Sequence, residues 1–159
     1  MDFDLKRLGL NKNSKILSLS HANCMDGTGC QICLENVFKN ISFFGVNYQE
    51  VDNTLSRLIN NNFDGFDFIF LTDISPQTPS LLENQNKIIL LDHHNTSKYL
   101  HNPSENKYVL PDLCGTMLTK VFLETYFEKK ISSLNNISYL INDYDLFTKN
   151  NHKSTFLNE

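Results

Sequence analysis

The stretch Lys87-Ile88-Ile89-Leu90-Leu91-Asp92-His93-His94 runs four aliphatic residues together and then turns abruptly polar. A strand with one wet face alternates apolar and polar residues. An unbroken apolar run reads instead as a strand buried on both faces, the habit of parallel sheets covered by helices. One carboxylate and two adjacent imidazoles at the end of such a strand serve no evident packing purpose. The segment therefore suggests an architecture and a site together.

The flanking sequence extends the pattern. Residues 15–19 (Lys-Ile-Leu-Ser-Leu), 41–46 and 66–71 read as three further strands, and residues 107–110 as a short additional one. Helical spacing fills the gaps. In residues 27–39, Ile32, Cys33, Val37 and Phe38 share a face, and in residues 51–59, Val51, Leu55, Leu58 and Ile59 do the same. Residues 116–127 and 133–142 read as two more helices. Short apolar strands separated by helices predict an α/β fold: a doubly wound, mainly parallel sheet of four or five strands with helices on both faces.

The 159 residues suit a single domain, and 40% apolar with 20% charged residues suits a globular chain. A formal net charge of -4 argues against a basic protein that coats long duplexes. No segment approaches the roughly 20 apolar residues of a membrane helix. Residues 1–13 are charged and lack the apolar core of a signal peptide. The four cysteines then read as free thiols in a reducing compartment, and the expected location is the cytoplasm. The asparagine-rich runs, such as residues 60–62, carry no chemistry of their own, and no internal repeat is visible.

Ligands in open parallel sheets bind beyond the carboxyl ends of the strands. Three of the expected strands end in polar clusters: Ser20-His21-Ala22-Asn23-Cys24-Met25-Asp26-Gly27, Thr72-Asp73, and Asp92-His93-His94. The second strand ends in Gly45-Val46-Asn47 and contributes nothing similar. A parallel sheet would bring the three clusters to one edge. Carboxylates with imidazoles are ligands for Mn²⁺, Fe²⁺ or Zn²⁺, and two ions about 3.5–4 Å apart are a recurrent device for hydrolysing phosphate esters. Taken singly, Asp73 also reads as a helix cap before Ile74-Ser75-Pro76, and His21 as a packed or surface histidine.

Asp92-His93-His94 after four aliphatic residues resembles the signature of the DHH phosphoesterase family, which includes RecJ-type nucleases, oligoribonucleases, cyclic-dinucleotide phosphodiesterases and exopolyphosphatases. His21-Ala22-Asn23-Cys24-Met25-Asp26-Gly27 is similar to the first motif of a branch reading His-x-Asn-Cys-x-Asp-Gly. Asp73 matches the single aspartate of the second motif, and Asp145 in Asp143-Tyr144-Asp145 resembles the fourth, with Asp143 as the alternative. The resemblance implies a single catalytic domain over residues 1–159, without the usual C-terminal substrate-binding domain. It implies two Mn²⁺ ions held by His21, Asp26, Asp73, His93 and Asp145, with Mg²⁺, Fe²⁺ or Zn²⁺ as alternatives at one position. Asp92 would orient a histidine, and His94 would contact the phosphate. The implied activity is a Mn-dependent phosphoesterase acting on small nucleotides or short oligonucleotides.

Two departures accompany the likeness. Asn23 and Cys24 stand near the place of a further aspartate in RecJ-type first motifs, and a thiolate favours a softer metal such as Zn²⁺. The chain also stops about fourteen residues after Asp145, as either a natural minimal version or a catalytic-domain fragment would, and a second copy or a separate subunit could complete the site. Asn23, Gly27, Thr28 and Thr96 are candidate phosphate contacts; Gly27 equally permits a tight turn, and Thr96 with Ser97 equally caps. Cys30 and Cys33 have CxxC spacing without a second pair and read as small core residues. Cys114-Gly115-Thr116 opens a helix and is a candidate wall of the site, and Lys98 and Lys120 are candidate substrate cations. A weakly active or inactive nucleotide- or partner-binding module is the alternative function, and a membrane role is not expected.

Overall fold

The structure, a computed structural model, describes residues 8–148 and 150–158. The first seven residues of the charged N-terminal stretch, and Lys149 at the start of the polar end, lie outside the described residues. Nine main elements follow one another: β1 (Lys15–His21), α1 (Met25–Glu35), β2 (Asn40–Val46), α2 (Val51–Asn60), β3 (Phe68–Thr72), β4 (Ile88–Asp92), β5 (Lys107–Val109), α3 (Gly115–Tyr126) and α4 (Asn135–Asp145). The five strands form one sheet in the order β2-β1-β3-β4-β5, and every pairing is parallel. The α/β doubly wound architecture is thus present, with five strands.

Alternate side chains of the buried strands feed two separate cores. Leu17, Leu19, Ile69, Leu71, Ile88 and Leu90 face Val51, Leu55 and Leu58 of α2. Ile16, Phe70, Ile89 and Leu91 face Cys33 and Leu34 of α1 and Leu118, Phe122 and Leu123 of α3. β3 and β4 bury apolar residues toward both, which is why their sequences show no alternation. β2 lies at the sheet edge, where Phe43 and Phe44 remain exposed. At the far side, the ammonium of buried Lys107 caps the carbonyls of Gln85, Ile88 and Glu105 and closes the base of β4 and β5.

The first helix is shorter than its apolar spacing suggests. It ends at Glu35, where Asn36 Nδ2 bonds back to Ile32 O at 2.9 Å. Val37 and Phe38 then turn on Leu34 O, so Phe38 enters the core from a turn rather than from a helix. The last helix runs further than expected, to Asp145.

In the order 2-1-3-4-5, chain connections from β1 and β3 leave in opposite directions, and the crevice between their carboxyl ends is the place where such sheets bind ligands. His21 closes β1 and Asp73 follows β3 directly at that crevice. Beneath them Ser20 and Thr72, paired across the strands, share a hydrogen bond of 2.6 Å.

Candidate metal centre

Three loops and two helix ends meet over the crevice. Asn23, in the left-handed conformation (φ 57°), turns the chain from β1 so that Cys24 becomes the N-cap of α1. Gly27 sits so close to β1 that a side-chain Cβ would fall on the His21 carbonyl. Asp73 also takes positive φ (57°), a conformation aspartate tolerates better than most residues. Opposite it, Gly115 at the start of α3 has no side chain to keep Asp26 and Asp73 apart: a Cβ there would lie 2.9 Å from Asp26 Oδ2 and from Asp73 Cβ.

Asp26, 2% exposed, carries two roles. Its carboxylate accepts the first backbone amides of α3, from Gly115 at 2.6 Å and Thr116 at 2.7 Å, while Oδ2 lies 3.6 Å from His93 Nε2. The Cys114-Gly115-Thr116 segment therefore supports the site through Asp26. His93 Nε2 is the meeting point: Asp73 Oδ1 stands 3.1 Å away and Asp145 Oδ2 3.3 Å away. A second triangle joins His21, Cys24 and Asp73, with Cys24 Sγ donating to Asp73 Oδ2 at 2.9 Å and His21 Nδ1 at 3.7 Å from the same oxygen. Asp73 thus meets His93 through Oδ1 and the His21–Cys24 pair through Oδ2, while Asp26, His93 and Asp145 form a further group.

The electrostatics follow from burial and crowding. Burial, with the charges of Asp73 and Asp145, pushes Asp26 up to about 6. Burial opposes ionisation of Asp73 too, but hydrogen bonds from His21, His93 and Cys24 hold it well below the usual carboxylate range. His93 is lowered by burial, yet its bond to Asp73 and the charges of Asp145 and Asp26 raise it to about 9. Burial and the adjacent Asp73 push the Cys24 thiol up to about 12.

Asp92 stands behind this shell. It is fully buried, accepts from Ser75 Oγ and the His93 amide, and holds His94 Nδ1 at 2.7 Å. Carboxylates that fix an imidazole in this way orient it for work at its other nitrogen. That nitrogen, His94 Nε2, meets Tyr48 Oη at 3.3 Å, and the Tyr48 ring packs on His21 with centroids 5.3 Å apart. Tyr48 comes from the turn after β2, so the second strand does supply a residue to this edge, contrary to the sequence expectation. A lone tyrosine two residues past a strand has no local signature.

The five expected ligands, His21, Asp26, Asp73, His93 and Asp145, thus converge, with Asp92 and His94 beside them. Asp143 does not join them. Its carboxylate binds Thr148 Oγ1, the amides of Asn150 and Asn151, and Ser154 Oγ, and so ties the following segment to α4. The expected phosphate contacts need correction. The Gly27 amide is held by Cys24 Sγ (3.1 Å) and the Thr28 hydroxyl by Cys24 O (2.9 Å), so neither donor is free for phosphate. Asn23 and Thr96 are exposed, and it is Asn95 rather than Thr96 that lines the cavity beside His93. Lys120 is buried in a pair with Glu124 at 2.9 Å and is unavailable to a substrate; Lys98 is exposed. Cys30 and Cys33 are buried and unpaired in disulfides, as core residues.

The donor set fits a divalent cation. Ligands at right angles on bonds of about 2.1 Å stand about 3 Å apart, close to the spacing around His93 Nε2. Asp145 Oδ2 is buried and, apart from its approach to His93 Nε2, has no hydrogen-bond partner among the described residues, which suits an oxygen that a cation would take up. Beside it opens a cavity of about 500 Å³ lined by His93, His94, Asn95, Pro111, Asp112, Asp145, Leu146 and Phe147. A larger cavity of about 650 Å³ at the opposite strand ends has one carboxylate, Asp67, which is bonded to Lys15 N.

No family model matches the chain, and no curated protein matches it. Among solved structures it is similar to the crystal structure of an uncharacterized protein from Helicobacter pylori G27, with a TM-score of 0.71 at 20% identity over 86% of this chain and 45% of that one. The chain spans less than half the length of that protein. No helix among the described residues is long and apolar enough to cross a membrane. What the likeness establishes is the fold, a parallel α/β sheet wound on both faces.

Proposed function

We propose that this chain is a metal-dependent phosphoesterase of the DHH type, hydrolysing phosphate esters of small nucleotides or short oligonucleotides with two divalent cations, Mn²⁺ foremost. The observation that carries the reading is Asp73 standing between two ligand groups, His21 with Cys24 at Oδ2 and His93 at Oδ1, with His93 also gathered with Asp26 and with Asp145, whose buried Oδ2 has no hydrogen bond among the described residues. Bound cations would polarise the phosphoryl oxygen and supply a nucleophilic water at neutral pH. His21, Cys24 and Asp73 would hold one ion, and Asp26, Asp73, His93 and Asp145 the other. Asp92 fixes His94 with Nε2 toward Tyr48, an orientation suited to donating a proton or hydrogen bond to a phosphate or leaving oxygen. The buried floor of Ser20, Thr72 and Asp92 keeps water from reaching the ligands from below. The unpaired cysteines suit a reducing, cytoplasmic setting.

A non-hydrolytic binding module is the second reading, favoured by the use of Asp26 to cap α3. Metal content and turnover separate the two. The purified chain should take up about two equivalents of Mn²⁺ and cleave dinucleotides, cyclic dinucleotides or nucleotide bisphosphates. Asp73→Asn, which removes the shared carboxylate charge, should lower the rate roughly a thousand-fold or more. Failure to bind any divalent ion refutes the proposal, and unchanged turnover by Asp73→Asn refutes the role of that residue.

A further inference from the structure

A row of rings crosses the crevice: His21, Tyr48, His94 and His93 follow one another with centroids 5.3, 6.1 and 4.4 Å apart. It runs from His21, which approaches Asp73 at Oδ2, to His93, which approaches it at Oδ1. The imidazoles of the row belong to the ends of β1 and β4, and Tyr48 reaches between them from the β2 side. Its hydroxyl lies 3.3 Å from His94 Nε2, while Asp92 holds the other ring nitrogen at 2.7 Å. With both nitrogens engaged, the His94 ring cannot turn without losing a bond.

Tyr48 is itself firmly placed. Ala22 N donates to Val46 O at 3.0 Å and carries the β1–β2 ladder up to the turn. Asn47 gives its backbone and side-chain amides to Glu50 Oε2 at 3.0 and 3.1 Å, and its carbonyl receives the amides of Glu50 and Val51 as α2 begins. From the loop after β3, Gln77 Nε2 donates to Tyr48 O at 3.5 Å, and the Gln77 amide donates to Asp52 Oδ1 at 2.8 Å. The ring packs against the core on the α2 side of the sheet. Burial asks only for the ring. A phenol oxygen on an imidazole that a buried carboxylate already orients is a second hold on the same histidine. Tyr48 is not among the residues lining the cavity beside His93 and His94, so it acts on the chemistry through those histidines.

We infer that Tyr48 is a positioning residue of the metal centre: its ring sets His21 and its hydroxyl sets His94, so that one side chain fixes how the two sides of the centre stand to each other. This rests on the two-cation reading for the centre itself. Partners of this kind change metal affinity or turnover by about 10–100-fold while touching neither ion nor substrate.

The test separates ring from hydroxyl: Tyr48→Phe deletes the hydroxyl alone, and Tyr48→Leu deletes both. In the chelator-treated protein, ¹⁵N NMR should show the His94 Nε2 resonance displaced in both variants. His101, whose Nδ1 accepts from Val109 N at 3.0 Å, serves as the control and should not move. Calorimetry with Mn²⁺ alone should find about two equivalents in wild type and Tyr48→Phe, with one of them weakened about ten-fold or more in Tyr48→Leu. With a dinucleotide, Tyr48→Phe should lower kcat about ten-fold and leave KM within about two-fold, the mark of a misplaced group rather than lost binding. An unmoved His94 resonance or an unchanged kcat in Tyr48→Phe, or undiminished metal affinity in Tyr48→Leu, would overturn the inference. The expected resonance and metal changes in a protein that hydrolyses nothing would sustain the positioning role and refute the phosphoesterase. Turnover indifferent to both variants would do the reverse, and a wild type that takes up no Mn²⁺ would remove both.

Discussion

Cys24 joins packing to chemistry within one side chain. Its sulfur receives the Gly27 amide, as a helix cap should, and donates to Asp73. A divalent ion in the His21 triangle would take the place of that shared proton, and a thiolate ligand biases the position toward Zn²⁺ or Fe²⁺ over Mn²⁺. Cys24→Asp should therefore shift the preference toward Mn²⁺, read as the ratio of bound metals after equilibration with equal Mn²⁺ and Zn²⁺; an unchanged ratio removes Cys24 from the ligand set. Gly27 is constrained by backbone alone. Gly27→Ala sets a Cβ against the His21 carbonyl, so α1 and the end of β1 must separate. We expect about 1–3 kcal/mol of destabilisation by chemical denaturation, together with weaker metal binding, because the strain falls on His21 itself. A variant as stable as wild type would show that the turn yields freely. Much of this residue-level picture was legible in sequence, because each polar cluster followed a short, mostly apolar strand. Tyr48 was not legible, since its role depends on where β2 lies.

At the scale of elements, strands buried on both faces declare themselves, whereas their order does not. β2 reads as apolar as β3, yet it is the edge strand, and only the crossovers place it beside β1. The choice between Asp143 and Asp145 was open for a similar reason. Two residues along a helix means about 200° around its axis, so one carboxylate had to face the site and the other had to face away, and sequence does not say which. Asp143 faces the following segment. Its bonds from Ser154, Thr148, Asn151 and Asn150 depress its carboxyl to about 2, from an ordinary 3.8. A depressed acid stabilises the fold fully above its unfolded value, and that contribution is lost as pH falls through the folded one. Anchoring of Thr148, Asn150, Asn151 and Ser154 should thus weaken between pH 4 and pH 2. Asp143→Asn should speed amide exchange at Asn150 and Asn151 at neutral pH and abolish the acid dependence. Exchange that matches wild type would mean the segment is held by other contacts.

Over the whole molecule, the metal-free protein carries an electrostatic conflict that its fold cannot relieve. Asp26, Asp73, Asp92 and Asp145 crowd three imidazoles at one end of a chain whose formal charge is already -4. Asp26 is raised from 3.8 to about 6, so its contribution to stability is present below pH 4 and is lost as pH climbs through 6. His93 is raised from 6.5 to about 9, so its contribution is present below 6.5 and is lost as pH climbs toward 9. Lys107, lowered to about 8 by burial, works in the opposite sense only from there upward. From pH 5 to pH 8 the chelator-treated protein should therefore melt at progressively lower temperature. A divalent cation competes with those same protons. Its apparent affinity should rise about ten-fold per pH unit between 6 and 9, where one proton leaves His93, more steeply below 6, and level off above 9. The upward shift in melting temperature on adding Mn²⁺ should accordingly grow with pH. Titrations at pH 7.5 in two buffers of different protonation enthalpy would report the proton directly, with about one released per ion bound at His93. Binding without proton release would mean that the imidazole is neutral before the ion arrives, and that the carboxylates around it are satisfied in some other way.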